Sequence, residues 1–307
     1  ASIENGYLNI WTVSCFGLAM STAISFSNPA QQAILSRVTS GELQRGVTAA
    51  SAIGFIVQIG GLFLAGQMEV LGVGPVLLVQ SGGLFLGVFA IKLIKPMPMP
   101  ITRRESTWTI VLAGLHAAYR NKTVRQTLAI NFLSSIFNAG AFMTAIPFIV
   151  KRIYGGDALG LATIMIVFYG GATISNLVQF KIMPLARPGL WFLAMQLTRM
   201  IIIYCLWLTP QWWLLMLVLF AWGINMGATT SLSRALVQES AEPEYLARVL
   251  SIYNLAILGS MPIGALILGF VIEAFGTMDA LIPAMLSSGL LGMYGFLFTD
   301  VWKYRSP

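Results

Sequence analysis

The most regular feature of this sequence is a series of nine long apolar stretches separated by short polar segments. Each stretch is about 20 residues long and apolar on all sides. A helix that rises about 1.5 Å per residue needs this length to cross the roughly 30 Å apolar core of a bilayer. The pattern therefore predicts nine transmembrane helices, at residues 7–27, 47–66, 73–94, 128–150, 158–180, 188–208, 211–233, 249–274 and 279–299.

The composition leads to the same conclusion and excludes other classes of protein. Of the 307 residues, 57% are hydrophobic and 9% are charged, whereas a soluble domain carries about 25% charged residues. Membrane strands need only about 10 residues of alternating polarity, so helices remain. The net charge of +7 is spread over loops without a basic and aromatic stripe, which excludes nucleic acid as a partner. We predict an all-α membrane protein whose surrounding partner is the lipid bilayer.

Basic residues accumulate on one side of the predicted membrane. Fifteen of the 18 Lys and Arg residues lie in or beside alternate connections and the C-terminal tail. Only Lys151 and Arg152 occupy the opposite loops. Because cytoplasmic loops collect Lys and Arg, the C-terminus is predicted to be cytoplasmic and the first residue of this sequence to lie outside.

One block of three segments occurs twice, about 203 residues apart. At this offset Arg45 corresponds to Arg248, Gly61 to Gly264 and Gly66 to Gly269. Three further segments separate the copies, so the repeating unit has six helices, and two units would have twelve. The alternative is a compositional likeness between apolar helices. The repeat predicts three missing helices at the front of the chain, and a same-direction repeat of this kind is typical of transporters.

Three regions follow from this arithmetic. Residues 1–94 form an incomplete N-terminal half of three helices, residues 95–126 a cytoplasmic linker, and residues 127–307 a complete C-terminal half of six helices. The Pro-rich run at 95–100 cannot be helical. Beyond it, Trp108, Leu112, Leu115 and Tyr119 recur at helical spacing, which predicts an amphipathic helix on the membrane surface.

Small residues indicate where helices pack closely or bend. In lipid, helices associate through small side chains, and Pro with Gly permits bending. We predict packing or conformational roles for Gly60, Gly61 and Gly66 in the second segment, Pro262, Gly264 and Gly269 in the eighth, and the loop arginines Arg45 and Arg248.

Several short motifs resemble a known family in their order and spacing. They are Asn28-Pro29-Ala30, Glu42-Leu43, Leu112-Ala113-Gly114-Leu115, Ala186-Arg187-Pro188-Gly189-Leu190, and Glu242-Pro243-Glu244 followed by Arg248. Together they resemble the major facilitator superfamily, and within it the bacterial efflux branch that contains the enterobactin exporter and the macrolide efflux pumps. One departure is Gln58-Ile59-Gly60-Gly61, which lacks the proline of the family's antiporter motif.

The resemblance implies that the nine segments are the family's helices four to twelve, in a bundle truncated at its N-terminus. It implies a secondary active transporter of the bacterial inner membrane, monomeric, that works by alternating access. Its expected activity is ion-driven export of an amphipathic small molecule such as a drug, a macrolide or a siderophore, with protons as one candidate ion. The alternatives are an importer of the same fold and a truncated scaffold that does not transport. We expect the nine helices alone not to transport.

Neutral polar and aromatic side chains are the candidates for a substrate cavity. Asn131, Ser134, Ser135 and Asn138 share one helical face, although hydrogen bonds between helices would explain them equally well. The remaining cavity candidates are Gln58, Tyr169, Trp222, Asn225, Tyr253 and Asn254.

Arg199 is the one charged residue in the middle of a predicted membrane segment. Intramembrane charge is costly and points to function, and no acidic residue lies at mid-membrane to pair with it. It could attract an anionic substrate, pair with a missing helix, or bind carbonyls and reach along a groove. The resemblance makes its segment the family's ninth helix, which is peripheral to the cavity.

The sequence carries no pattern typical of an enzyme. His116 is the single histidine, and no nucleophile with an adjacent base accompanies it. No Walker-type loop predicts ATP binding. Cys15 and Cys205 lie in apolar segments, and no spacing predicts a metal or a cofactor.

Overall fold

The computed structural model describes residues 10–38, 43–93, 107–182, 185–242 and 244–306, and within this part every regular element is helical. The first five helices are α1 (Ile10–Val38), α2 (Leu43–Gly66), α3 (Met68–Leu71), α4 (Val73–Lys92) and α5 (Thr107–Arg120). The later helices are α6 (Lys122–Gly140), α7 (Ile146–Arg152), α8 (Ala158–Ile182), α9 (Pro188–Trp207), α10 (Trp212–Ser240), α11 (Leu246–Ala274) and α12 (Leu281–Phe298). A π-helical turn, Ala141–Ala145, joins α6 to α7, and a 3₁₀ turn, Val301–Lys303, follows α12.

Eight of the described helical spans are long and apolar enough to cross a bilayer. They are Thr48–Gly66, Val73–Lys92, Lys122–Arg152, Ala158–Ile182, Pro188–Trp207, Trp212–Ser240, Arg248–Ala274 and Leu281–Phe298. The first predicted segment lies in α1, whose described apolar stretch, Ser14–Ile24, is shorter. The prediction of an all-α membrane fold is confirmed.

Helix boundaries recur with the period of the predicted repeat. Both α1 and α10 contain 29 residues, and their first and last residues are each 202 positions apart. The first residues of α2 and α11 are 203 positions apart. The helix boundaries therefore match the spacing of the repeated residues to within one position.

The chain divides into two compact units. The first contains Ala1–Val47 and Met68–Lys95, and in it α4 buries only Val76 among its residues. Side chains such as Leu84, Phe85 and Phe89 are exposed, as expected for apolar residues that face lipid. The predicted boundaries at residues 94 and 126 stay a prediction.

The second unit contains Thr48–Gln67 and Pro96–Pro307, and its core lies between the later helices. In it α10 packs against α8 and α9, α11 against α6, and α12 against α9. Ile149, Ile164 and Leu219 are completely buried in the largest apolar cluster. These contacts fix the relative positions of the helices that carry the buried polar residues.

Glycine permits a close contact between two of the helices that line the site. The position of a Cβ on Gly264 of α11 would lie against the carbonyl oxygen of Ile136 on α6, and within 3.0 Å of the Gly140 Cα. Two glycines thus face each other where α6 and α11 cross. Small residues allow backbones to approach in this way in lipid.

Helix α5 lies where the sequence predicts an amphipathic helix. Gly114 and Ala118 are buried, and the Cβ of Arg248 on α11 lies 3.0 Å from where a Gly114 Cβ would be. Leu112, Leu115 and Tyr119 are exposed. The small residues therefore contact α11, while the larger apolar side chains stay available for a membrane surface. The Pro-rich run before it is outside the described residues.

An ion-pair group connects the start of α6 with the end of α12. Asp300 accepts hydrogen bonds from Lys122 Nζ at 2.5 Å and Lys303 Nζ at 3.0 Å, and its N–H donates to Gln126 Oε1 at 3.3 Å. The hydrogen bonds and positive charges of the two lysines lower the pKa of the Asp300 carboxyl from 3.8 to about 2.

Replacing Asp300 with asparagine should lower the melting temperature at pH 7 only slightly, by about 2 °C or less, because the ion pairs are exposed. A carboxyl whose pKa is lower in the folded state stabilises it above the unfolded pKa and loses that contribution as pH falls. The difference between wild type and Asp300→Asn should therefore shrink between pH 4 and pH 2, and also in high salt. Thermal unfolding in detergent measures it, and a difference independent of both pH and salt would contradict the prediction.

Candidate functional site

A cavity of about 180 Å³ lies inside the second unit, between α6, α8, α9, α10 and α11. Its lining combines two kinds of side chain, without an Asp, Glu or His among the described residues that form it. The aromatic and sulfur-containing members are Phe142, Phe168, Tyr169, Trp222, Tyr253, Met143, Met226 and Met261. The polar members are Asn131, Ser134, Ser135, Asn138, Arg199, Thr229 and Thr230.

Most of the cavity residues predicted from the sequence meet here. The ones that line the cavity are Asn131, Ser134, Ser135, Asn138, Tyr169, Trp222 and Tyr253. Asn225 is buried behind the lining, where it holds Arg199. Asn254 is half-buried, Gln58 is exposed, and neither belongs to the lining of this cavity.

The polar face of α6 both lines the cavity and connects helices. The Ser134 hydroxyl donates to Gln196 Oε1 on α9 at 2.9 Å. Ser288 on α12 donates to Asn138 Oδ1 at 3.2 Å, and Ser260 on α11 donates to Ser135 Oγ at 2.7 Å. A role in a substrate cavity and a role in hydrogen bonding between helices are therefore compatible, since the same side chains line the cavity and bond to neighbouring helices.

The π-helical turn Ala141–Ala145 brings two residues to the cavity, Phe142 and Met143. Pro147 lies two positions after the last residue of the turn, as the second residue of α7. A proline has no N–H to donate, and its ring crowds the carbonyl four residues earlier in a regular helix. Widening the helix into a π turn relieves this conflict, and such turns often occur at functional sites.

Four aromatic rings form an apolar wall, which we call the aromatic wall: Phe142, Phe168, Tyr169 and Trp222. The ring centroids of Phe142 and Phe168 are 3.9 Å apart and nearly parallel. Trp222 meets both of these rings edge-on at 5.9 Å. Edge-to-face contacts stabilise such a group beyond the burial of its area, so the wall is a firm surface for an apolar ligand.

In contrast to the apolar wall, a group of polar side chains surrounds Arg199. We call it the Arg199 cluster, and its members are Arg199, Ser134, Gln196, Asn225 and Thr229. The guanidinium is buried, 6% exposed. Its Nε donates to Asn225 Oδ1 at 2.7 Å and its Nη2 to Thr229 Oγ1 at 2.6 Å. Its Nη1 donates to Ser134 Oγ at 2.9 Å and Gln196 Oε1 at 3.3 Å.

Asn225 is itself oriented by its neighbours. Its Nδ2 donates to the Met195 carbonyl at 2.7 Å and to Thr198 Oγ1 at 3.0 Å, which turns Oδ1 toward Arg199. The expectations for Arg199 differ from this arrangement in two ways. The guanidinium binds side chains rather than backbone carbonyls, and it lines the cavity although the resemblance makes its helix peripheral.

Tyr253 on α11 closes another side of the cavity. Its hydroxyl lies 2.8 Å from Ser233 Oγ on α10 and interacts with the Asn131 side chain on α6.

The predicted packing positions behave differently from one another. Gly66 faces the Ala162 Cβ of α8 at 3.1 Å, whereas Gly60, Gly61 and Gly269 have no described atom of their own unit within 4 Å of a Cβ position. Pro262 lies inside α11. The Arg45 side chain is outside the part of the chain that can be described.

Sequence reasoning missed several cavity residues, above all Phe142, Phe168 and the three methionines. Phe142 does follow Asn138 by four positions, so it continues the polar face of α6, but an aromatic residue there resembles any lipid-facing one. In the described ranges, no group of three or more His, Cys, Asp and Glu side chains could hold a metal ion.

Comparison with known proteins identifies the family. The family model described as Major Facilitator Superfamily matches residues 6–256, most of the chain and most of the cavity lining. A search of curated proteins gave no match. This chain belongs to the Major Facilitator Superfamily, a family of secondary transporters.

Proposed function

We propose that this protein exports an amphipathic small molecule, such as a drug, a macrolide or a siderophore, and that an ion gradient drives the export. The observation that carries the proposal is the double character of the cavity. An aromatic wall and three methionines adjoin neutral amide and hydroxyl groups. Ligand pockets are typically apolar with a few placed polar groups, and methionine adapts to ligands of varied shape.

The proposed mechanism is alternating access, in which the two halves of the transporter rock relative to each other. Flexible points on the cavity helices support it, because the π turn of α6 and Pro262 in α11 weaken regular helical hydrogen bonding. We propose a monomer in the bacterial inner membrane, with the C-terminus in the cytoplasm as the loop charges predict. The superfamily is generally non-enzymatic, and we propose no enzymatic activity here.

Protons remain the proposed coupling ion, although their binding site is not in this cavity lining. Coupling requires a group that gains and loses a proton near neutral pH, which an Asp, Glu or His side chain supplies. The described lining residues include none of these. The proposal therefore assigns proton binding to a part of the protein away from this cavity.

The test replaces Trp222 with alanine in cells that lack their own efflux pumps and express the protein from its natural gene. Trp222 is 2% exposed and belongs to the aromatic wall. Truncating a buried aromatic anchor in a binding site typically weakens binding by about 2 kcal/mol or more, so the efflux rate of an amphipathic dye should fall at least about tenfold. Dye fluorescence over time is the measurement.

Trp213→Ala is the matched control, since Trp213 lies on the same helix and is 61% exposed. Its efflux should stay within about twofold of wild type. Equal losses in both variants, at equal protein levels, would argue against the cavity as the transport site. Dye accumulation driven by the wild type would favour the importer, and no effect of the wild type on dye content would favour the non-transporting scaffold.

A further inference from the structure

The charge of Arg199 has no counter-ion among the described residues. All of its hydrogen-bond acceptors are neutral side chains. On α10, which supplies two of them, the acidic residue is Glu239, ten positions beyond Thr229 and so about 15 Å along the axis. Glu239 accepts a hydrogen bond from Ser306, and Asp300 is paired with two lysines. Within the described part of the chain, the positive charge of Arg199 therefore has no carboxylate partner.

The Arg199 cluster also has more donors than acceptors. A guanidinium carries five N–H groups, and four hydrogen bonds from Arg199 are accounted for, which leaves one N–H on Nη2. Gln196 is completely buried, and its Nε2 has no hydrogen-bond partner in the described structure. The hydroxyl protons of Ser134 and Thr229 are already donated to Gln196 Oε1 and to the Asn225 carbonyl. The cluster therefore lacks an acceptor, and a negatively charged oxygen is the strongest one.

The surroundings favour an anion for a second reason. The described lining contains no carboxylate to offset the charge of Arg199. In a site of low polarity a charge is expensive unless it is paired. A ligand with a negative group gains that pairing, whereas a cationic ligand meets repulsion.

We propose that the Arg199 cluster binds the anionic group of the transported compound, and that the substrate is an amphipathic anion. Its apolar body lies against the aromatic wall, and its carboxylate or similar group accepts hydrogen bonds from Arg199. This inference rests on the proposed function and narrows it. Among amphipathic compounds, acids are substrates and organic cations of similar size are excluded.

A pair of probes that differ only in charge tests the inference. Dansylglycine carries a carboxylate, and dansylglycinamide is its neutral counterpart with the same fluorophore. Binding of each to the purified protein is measured by dansyl fluorescence in nanodiscs of phosphatidylcholine, a lipid without net charge. Wild type should bind the carboxylate at least about tenfold more tightly, because charge-assisted hydrogen bonds are roughly twice as strong as neutral ones.

The variant Arg199→Gln should remove this preference by weakening the binding of the carboxylate probe at least about tenfold, whereas Arg199→Lys should retain part of the preference. Arg152→Gln is the matched control, since Arg152 is an exposed arginine at the end of α7, outside the cavity lining. It should leave both affinities unchanged. Thermal unfolding of each variant checks that it is folded. If Arg199→Gln does not fold, the relative affinity of the wild type for the two probes still tests the inference.

The outcomes separate this inference from the function on which it rests. Equal binding of both probes by the wild type, or a preference that persists in Arg199→Gln, would overturn the anion site while leaving the cavity as a transport site. Binding of neither probe would count against the cavity itself. Displacement of dansylglycine when phosphatidylglycerol replaces the neutral lipid would assign the cluster to a lipid headgroup and overturn the substrate assignment.

Discussion

Helix α11 is expected to lose its packing against α6 when Gly264 is replaced by valine. The Cβ of any residue at this position would overlap the carbonyl oxygen of Ile136. That atom is backbone, so relief requires α6 and α11 to move apart and to give up the contact at Gly140. Overpacking usually costs about 1 to 3 kcal/mol, and a clash between two backbones should exceed this range.

Gly269→Val is the control, because it makes the same change five positions later on α11. No described atom of its unit lies within 4 Å of the Cβ position at Gly269, and the residue is only partly buried. Size-exclusion chromatography and thermal unfolding in detergent should show a folded Gly269→Val protein and a strongly destabilised Gly264→Val protein. Similar melting temperatures for the two variants would mean that α6 and α11 do not cross at Gly264.

Asn225→Leu is expected to be the second most damaging change. Asn225 Oδ1 accepts from Arg199 Nε, and its Nδ2 donates to the Met195 carbonyl. Leucine removes both contacts and leaves part of a buried charge without an acceptor. Hydrogen bonds to charged groups contribute about 1.5 to 3 kcal/mol, and a stranded charge costs more. The free energy of unfolding should fall by about 3 kcal/mol or more, measured by denaturant titration in detergent micelles.

Two comparisons isolate the charge as the cause. Asn176 is another buried asparagine, and it accepts from the neutral Ser231 hydroxyl at 2.7 Å, so Asn176→Leu should cost only about 1 kcal/mol. Adding Arg199→Met to Asn225→Leu should restore part of the lost stability, because the stranded charge is then gone. A double variant less stable than Asn225→Leu would show that Arg199 stabilises the fold through contacts other than those of its charge.

The helices could be predicted because lipid imposes a simple requirement on the sequence. An apolar run of about 20 residues satisfies its backbone only as a helix, and α8, α9 and α12 lie where the apolar runs are. The polar face of α6 was also predictable, since residues three and four apart lie on one face. The π turn was not predicted, although Pro147 is its local signal.

The partners of Arg199 could not be predicted, because they come from positions far apart in the chain. Ser134 precedes Arg199 by 65 residues, and Asn225 and Thr229 follow it by 26 and 30. Which helices become neighbours depends on their packing, and a single sequence with many similar apolar helices does not specify that. The same reason explains why glycines that look alike differ, since Gly264 faces a helix crossing and Gly269 faces open space within its unit.

By itself, the sequence determined that the helices lie in lipid, which stretches of the chain form them, and which polar side chains each helix carries. Those properties depend on transfer free energies and on helical periodicity, which are local. Only the tertiary structure decided that an arginine, two amides and two hydroxyl groups meet beside a cavity that an aromatic wall also lines. That meeting depends on side chains filling the spaces between particular helices, and such complementarity exists only once the helices are packed.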